Sequence, residues 1–232
     1  MRFALLALAL VFSACQRDDG SNTNNVAYVE GQDDFLTGSD ETSDEATPGD
    51  IQPGVMAPDF TLTATDGTEY TLADLRGRPV VLEWLNYDCP YVGKQYGTGN
   101  MQALQESYTM GDGAVWLSIV SSAPGEQGHF ENAEMDARTE REGGKQTAVL
   151  MDPSGDVGRL YGAKTTPHMF VISPEGRVIY NGAIDDHNST NPETLDGATT
   201  YLVNAMDALA AGEDADPART EPYGCSVKYA DV

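Results

Sequence analysis

One cysteine lies where the chain could make it a nucleophile. Cys89 is followed directly by Pro90, and it comes soon after an apolar run, residues 80–85, that reads VVLEWL and predicts a buried strand. Proline suits the first position of a helix, because no backbone N–H is needed there and its φ angle is already helical. The free N–H groups and the dipole at a helix N-terminus favour thiolate, the reactive form of cysteine. The sequence therefore predicts a reactive thiol at Cys89, with a small buried hydrophobe as the alternative.

A second feature is a Thr-Pro pair at the start of another predicted strand. Thr166 and Pro167 precede the apolar residues 168–172, and a turn at 173–176 leads into a further strand at 177–183. This arrangement resembles the thioredoxin superfamily, in which a cis-proline packs against the nucleophilic cysteine. The resemblance implies that the Thr166–Pro167 bond is cis and that both residues contact the substrate.

Three further motifs indicate a branch of this superfamily. They are APDFTL at residues 57–62, the Asp66-Gly67 turn, and LADLRGRP at residues 72–79. Together they resemble the redoxin, or alkyl hydroperoxide reductase/thiol-specific antioxidant, branch over residues 54–211. The resemblance implies an enzyme without a cofactor: a peroxiredoxin-like thiol oxidoreductase that uses Cys89 on a protein disulfide or a peroxide, and that is regenerated by an unidentified thiol reductant.

The peroxidase part of this resemblance is incomplete. Peroxiredoxins carry a proline and a threonine before their cysteine and an arginine elsewhere, and these groups polarise the peroxide O–O bond. The corresponding positions here are Leu82, Asn86 and Pro167. Asn86 and Lys94 are then the candidate donors for substrate binding, whereas thiol–disulfide exchange needs neither.

The remaining cysteines determine how a disulfide could form. The chain has Cys15, Cys89 and Cys225, and a lipidated Cys15 would leave an even pair. Thioredoxins carry their second cysteine three residues after the first, where this chain has Val92. The segment around Cys225, EPYGCSVKY at residues 221–229, is too apolar for a frayed terminus. We expect it to pack over the active site with Cys225 as the resolving cysteine; alternatively Cys225 is free or pairs between molecules.

Glu83 is an acid inside the apolar strand that leads to Cys89. Thioredoxins carry a buried acid on the corresponding strand, and it is thought to relay a proton during disulfide exchange. Burial should raise the pKa of such a carboxyl, which would prepare it to accept a thiol proton. Glu83 is therefore a candidate catalytic residue, although a backbone N–H or water could also satisfy it.

Two other classes of function stay open. Cys89, Cys225 and His168 could hold Cu(I) or Zn, as in a metallochaperone on a thioredoxin fold. The copper chaperones of this fold use two cysteines four residues apart, and the second position here is Gly93. A redox-inert domain that only docks partners is the other class.

The N-terminus is typical of an export signal. Arg2 precedes the apolar residues 3–12, a run too short to span a bilayer. Residues 13–15, SAC, resemble the lipobox of bacterial lipoproteins, in which the cysteine becomes lipidated; Phe12 departs from the usual Leu, Val or Ile. The resemblance implies a lipoprotein anchored through Cys15 in the cell envelope or periplasm, with an ordinary cleaved signal as the alternative.

Composition divides the rest of the chain. Residues 16–52 are polar and acidic and predict a disordered tether, residues 53–212 form the redoxin domain, and residues 213–232 form the C-terminal tail. Thirteen Lys and Arg against 37 Asp and Glu give a net charge of −24. This charge excludes nucleic acid and anionic lipid as electrostatic partners.

The order of predicted elements indicates an α/β fold: a thioredoxin-like three-layer sandwich with a central mixed sheet and an N-terminal β-hairpin. The hairpin surrounds Asp66-Gly67. Helices are expected from 91 to about 110 with a break at 97–99, at 129–142, at 157–161 and at 192–211.

Overall fold

The structure is a computed structural model that describes residues 45–111 and 113–231. The predicted signal peptide, the lipidation site Cys15 and most of the predicted tether lie outside the described residues. The strands are β1 Thr61–Ala64, β2 Glu69–Thr71, β3 Val80–Trp84, β4 Val115–Val120, β5 Ala148–Met151, β6 Thr165–Thr166, β7 His168–Ile172, β8 Val178–Gly182 and β9 Cys225–Ser226. The α-helices are α1 Pro90–Gly97, α2 Asn100–Thr109, α3 Asn132–Glu142, α4 Asp156–Tyr161 and α5 Tyr201–Ala211.

Seven strands form one mixed sheet in the order β2-β1-β5-β4-β3-β7-β8. β3 lies between β4 and β7; it is parallel to β4 and antiparallel to β7. β1 and β2 form the predicted hairpin, with Gly67 in the left-handed region at φ +88°. The expected thioredoxin-like α/β fold is confirmed.

Both faces of the sheet are covered, which explains the continuous apolar run of β3. Val81, Leu85 and Cys89 belong to a core cluster that includes side chains of α1, α2, α3 and α5. Leu82 and Trp84 belong to a second cluster, on the opposite face, which α4 and the segment before β1 complete. A strand buried on both faces needs apolar residues at successive positions, not at alternate ones.

Two helices begin later than the sequence predicted. α3 begins at Asn132, three residues after the predicted start, and the predicted helix at 192–211 is a 3-10 turn, Pro192–Leu195, followed by α5. Gly197, at φ +77°, separates the turn from α5. Within residues 45–111 and 113–231, none of the helices has the length and hydrophobicity needed to cross a membrane.

The folded region extends beyond both expected boundaries of the domain. Ile51 is fully buried, and its carbonyl accepts a 2.7 Å hydrogen bond from the Asn181 side chain. At the other end, Arg219 forms an isolated bridge with Asn181, and the carbonyl of Lys228 accepts a bond from the Ala123 N–H. The C-terminal tail is therefore part of the packed structure.

Candidate active site

Cys89 occupies the position that the sequence predicted, at the start of α1. It is the N-cap residue, with φ −82° and ψ 123°, and Pro90 is the first residue of the helix. Its carbonyl accepts the first helical bond, from Gly93 N–H at 2.8 Å. The Cys89 side chain is fully buried, and its thiol donates to the carbonyl oxygen of Thr166 at 3.0 Å. Cys89 is therefore a reduced thiol shielded from solvent in this state.

The Thr-Pro pair lies against this thiol. The Thr166–Pro167 peptide bond is cis, as predicted, and Thr166 forms part of β6. The Thr166 hydroxyl oxygen is buried and has no hydrogen-bond partner in the described part of the chain. An unsatisfied buried hydroxyl carries a cost unless another group can bond to it. Thr166 thus has a carbonyl bonded to the Cys89 thiol and a hydroxyl without a partner in the described part of the chain.

The C-terminal tail pairs with the same strand. β9 runs antiparallel to β6, and Cys225 is the direct partner of Thr166. The preceding residue, Gly224, has φ +142°, and a Cβ atom there would lie 2.1 Å from the Thr166 carbonyl oxygen. Only glycine allows so close an approach between the two backbones. The tail therefore lies over the Thr166–Pro167 loop, where the sequence indicated that it would pack.

This pairing brings the two thiols together. Cys89 and Cys225 are both free, and the Thr166 backbone contacts both, since its carbonyl accepts the Cys89 thiol and its strand pairs with Cys225. Burial is the main cause that raises the pKa of Cys225 to about 12, and the neighbouring Cys89 adds to it. Cys225 is therefore protonated at neutral pH in this structure.

Glu83 is buried on the same face of the sheet as Cys89. Its carboxylate accepts hydrogen bonds from Trp116 Nε1 at 2.9 Å, Ser118 Oγ at 2.8 Å, Gln105 Nε2 at 3.3 Å and the Tyr96 hydroxyl at 3.2 Å. Burial raises its pKa, as predicted, while these bonds act in the opposite direction. Tyr96 lies two helical turns beyond Cys89, so the carboxylate is bonded at the far end of α1 from the thiol.

Asn86 was predicted to donate a hydrogen bond to the substrate, but its side-chain amide is bonded to other residues of the protein. Its side-chain oxygen accepts from Asp88 N–H at 2.9 Å, and its amide donates to the Gln127 carbonyl at 3.2 Å. Gly128 packs so close to Asn86 that a Cβ atom would lie 2.4 Å from the amide. Asn86 shapes the turn before Cys89 and connects it to the loop after β4.

Lys94 also has protein partners in place of the predicted substrate. Its ammonium, fully buried, lies 3.5 Å from Asp185 Oδ2 and donates to the His187 carbonyl at 3.1 Å and to the Tyr223 hydroxyl at 3.3 Å. Gln95 donates to the same Asp185 oxygen at 2.7 Å, and Tyr223 donates to the other. Asp185, Gln95 and Tyr223 were not identified from the sequence. The apolar composition of the tail was the only signal that could have indicated Tyr223.

The structure separates His168 from the two cysteines. Strand register pairs His168 with Trp84, so its ring lies on the face opposite Cys89, 4.8 Å from the Phe170 ring. Its Nε2 bonds Asn181 Oδ1 at 2.7 Å, its Nδ1 accepts from Lys164 N–H, and burial lowers its pKa to about 4. The structure therefore does not support the alternative Cu(I) or Zn set of Cys89, Cys225 and His168. Among the residues the structure describes, no cluster of three or more His, Cys, Asp or Glu could hold a metal ion.

Comparisons with known proteins agree with this fold. A family model described as Redoxin matches residues 52–199. A hypothetical protein from Sinorhizobium meliloti 1021 superposes with a TM-score of 0.66 at 25% identity, over 81% of this chain and 100% of that chain. An uncharacterized conserved protein from Geobacillus kaustophilus gives a TM-score of 0.66 at 26% identity, over 78% and 94%. A chain described as thiol:disulfide interchange protein DsbE from Chlorobium tepidum shares the fold, with a TM-score of 0.51 at 21% identity over 69% and 99%. No curated protein matches the sequence.

Proposed function

Because the chain belongs to the Redoxin family, we propose that it is a thiol–disulfide oxidoreductase in which Cys89 is the nucleophile and Cys225 the resolving cysteine. The observation that carries this proposal is the pairing of Cys225 with Thr166, whose carbonyl accepts the Cys89 thiol, so that both free cysteines adjoin one residue at the start of α1. Family membership supports a redox function. A second cysteine three residues after Cys89 is absent, since that position is Val92, and Cys225 of the tail supplies the second thiol in its place.

The reaction needs only these two sulfurs and a client disulfide. Cys89 sulfur attacks one client sulfur, the client S–S bond breaks, and the other client sulfur leaves as a thiolate. Cys225 sulfur then attacks Cys89 sulfur, which releases the second client thiolate and forms the Cys89–Cys225 disulfide. The two protons of the enzyme thiols pass to the client, which gains two electrons. A thiol reductant must then reduce the Cys89–Cys225 disulfide to close the cycle.

The raised pKa of Cys225 supports this order of attack. Burial is its largest cause, and the neighbouring Cys89 is the second. The contribution of Cys89 is removed once its sulfur is bonded to a client, because that sulfur then carries neither a proton nor a charge. Cys225 therefore becomes easier to ionise when its own step is due.

A disulfide client is better supported than a peroxide. The two residues that could have bound a peroxide, Asn86 and Lys94, are already bonded to Gln127, Asp88 and Asp185. A client segment, in contrast, could pair with Thr165–Thr166 in the place that β9 now takes. Thr166 and Pro167 then form the docking edge, and the free Thr166 hydroxyl is available to the client.

Reduction of an oxidised client protein tests the proposal directly. Parent protein, Cys89→Ser and Cys225→Ser are compared in turnover of a disulfide-containing protein with dithiothreitol as reductant. We expect Cys89→Ser to be inactive and Cys225→Ser to accumulate a mixed disulfide between Cys89 and the client. Full activity in Cys89→Ser would overturn the proposal, and faster thiol loss with hydrogen peroxide than with the client would favour a peroxidase.

The N-terminus supports a location for this chemistry. The lipobox-like residues 13–15 support a lipid anchor at Cys15 that holds the domain at a membrane of the cell envelope, where disulfides form and persist. Expression in bacteria with a labelled fatty acid tests this part. We expect label in the parent and none in Cys15→Ser; equal labelling of both would contradict the anchor.

A further inference from the structure

The tail is held over Cys89 at three successive residues, each in a different way. Tyr223 inserts its hydroxyl between Lys94 and Asp185, Gly224 packs on the Thr166 carbonyl, and Cys225 pairs with Thr166 in β9. The backbone pairing is only two residues long. A two-residue strand pair contributes little by itself. The tail beyond β9 is held by the Val227 N–H on the Lys164 carbonyl and by the Ala123 N–H on the Lys228 carbonyl, so Tyr223 is the side-chain anchor of the segment before Cys225.

The anchor site is built by the domain and completed by the tail. Lys94 comes from α1 and Asp185 from the segment after β8, and their side chains are 0% and 2% exposed. Tyr223 gives a hydrogen bond to Asp185 Oδ1 and receives one from Lys94 Nζ at 3.3 Å. Its ring also lies 5.8 Å from the Tyr91 ring and 5.4 Å from the Lys94 ammonium.

Burial of this ion pair makes the tyrosine hydroxyl important. Two charges removed from water are costly unless further hydrogen bonds satisfy them, and Tyr223 provides such a bond to each partner. Removal of Tyr223 would leave one Asp185 oxygen with only the His187 N–H. The bonds from Tyr223 to Lys94 and Asp185 therefore stabilise the tail in its bound position, and they do not involve the sulfur atoms of Cys89 and Cys225.

We propose that Lys94 and Asp185 form a socket for the phenol of Tyr223, and that insertion of this phenol positions Cys225 against Cys89 and closes the site. This proposal rests on the proposed function, because it assigns to Tyr223, Lys94 and Asp185 the control of the order in which Cys89 and Cys225 react. With the phenol inserted, Cys89 is shielded and Cys225 is ready to resolve; with the phenol withdrawn, Cys89 is open to a client. Tyr223, Lys94 and Asp185 are thus positioning residues and not catalytic ones.

The alkylation rate of Cys89 tests the closure. The full chain carrying Cys15→Ser is treated with iodoacetamide, and modification of Cys89 and Cys225 is followed separately by peptide mass. Tyr223→Phe keeps the ring and removes two hydrogen bonds to charged groups, so we expect Cys89 to react about tenfold faster or more. Tyr223→Ala should react faster still.

Tyr229→Phe is the matched control. Tyr229 is also a tail tyrosine whose hydroxyl bonds inside the protein, to the Ala163 carbonyl at 2.8 Å, but it lies beyond Cys225. We expect its Cys89 alkylation to match the parent. Equal rates in Tyr223→Phe, Tyr229→Phe and the parent, with Tyr223→Phe still folded, would overturn the socket.

Oxidised glutathione provides a readout that a purely structural role of Tyr223 would not change. It forms a mixed disulfide with Cys89, and Cys225 then displaces the second glutathione as its thiol. We expect the parent to pass rapidly to the Cys89–Cys225 disulfide and Tyr223→Phe to accumulate the glutathionylated form. Equal accumulation in both would contradict the positioning role. If alkylation follows the predicted order but no variant reacts with the disulfide, the socket stands and the proposed function fails.

Discussion

Two buried carboxylates, Glu83 and Asp185, are bonded to neighbouring residues of α1 through different kinds of partner. Glu83 bonds Tyr96 and is otherwise surrounded by side chains of β4 and α2, all of them neutral donors. Asp185 bonds Gln95 and Lys94, and its remaining side-chain partner, Tyr223, comes from the C-terminal tail.

This difference separates a fixed cluster from one that can open. The partners of Glu83 lie in β4, α1 and α2, which pack within the core of the domain. One partner of Asp185, Tyr223, lies in the C-terminal tail, outside the seven-stranded sheet. The Glu83 cluster therefore stabilises the core, whereas the Asp185 cluster can couple tail position to the reactive thiol. A proton relay from Glu83 to Cys89 stays a prediction, and the position of its carboxylate at the far end of α1 gives it no support.

The same chemical change at the two sites tests this comparison, and Asp185→Asn should have the larger effect. It leaves the buried Lys94 ammonium without a counter-charge, and breaking a buried ion pair in this way costs about 3–5 kcal/mol of unfolding free energy. Urea denaturation of the parent and the variant measures the loss. A loss below that of the corresponding change at Glu83 would contradict the role assigned to the charge pair.

The double variant Asp185→Asn with Lys94→Met isolates the charge contribution. It removes the unpaired ammonium, and the single amide oxygen of residue 185 can accept from Gln95 or from Tyr223, which bond different Asp185 oxygens in the parent. We expect it to recover part of the stability that Asp185→Asn loses, because the uncompensated charge is the main cost. A double variant as unstable as Asp185→Asn alone would show that the hydrogen bonds dominate.

Glu83→Gln should be tolerated much better. Three donors converge on one carboxylate oxygen, and the amide oxygen of glutamine can accept them in its place. The Tyr96 hydroxyl can accept from the new amide as well as donate, so we expect a loss of only about 1 kcal/mol at neutral pH. Glu83→Leu, which removes every acceptor, is the control and should lose several times more.

The difference in unfolding free energy between the parent and Glu83→Gln should depend on pH, because the pKa of Glu83 is raised in the folded protein. A carboxyl whose pKa is raised on folding above 4.5 binds its proton more tightly in the native state. Its contribution to stability is complete below that unfolded value and is lost as the pH rises through the folded value. The stability of the parent relative to Glu83→Gln should therefore fall as the pH increases from 4. A constant difference across the pH range would contradict the raised pKa.

The strands of the sheet and the position of Cys89 at the start of α1 were predicted from the sequence, because local patterns determine both. The apolar run of β3, the Asp66-Gly67 turn and Pro90 after Cys89 each specify their own element within a few residues. The predicted helix at 192–211 was wrong in its first half, because Gly197 and the Asn191 cap favour a separate 3-10 turn. Helix periodicity does not register such a break.

The partners of the site residues could not be predicted in the same way. Lys94 was expected near the substrate because it follows Cys89 by about one helical turn, yet it bonds Asp185, which lies 91 residues away. His168 was grouped with Cys89 because it follows Pro167, but strand alternation directs it to the other face. Proximity in the sequence showed that Lys94 and His168 lie on elements next to Cys89, but their bonding partners depend on the tertiary fold.

The last prediction concerns Gly224 and should change the unfolding free energy least, because the tail lies outside the seven-stranded sheet. A Cβ atom at residue 224 would lie 2.1 Å from the Thr166 carbonyl oxygen, so Gly224→Ala must displace β9. Gly197→Ala is the control: its φ of +77° also disfavours a side chain, but nothing lies within 4 Å of the added carbon. With Gly224→Ala we expect Cys89 to alkylate about tenfold faster, since the tail then loses Tyr223's bonds to the charge pair. Gly197→Ala should alkylate like the parent, and equal rates in the two variants would mean that β9 does not shield Cys89.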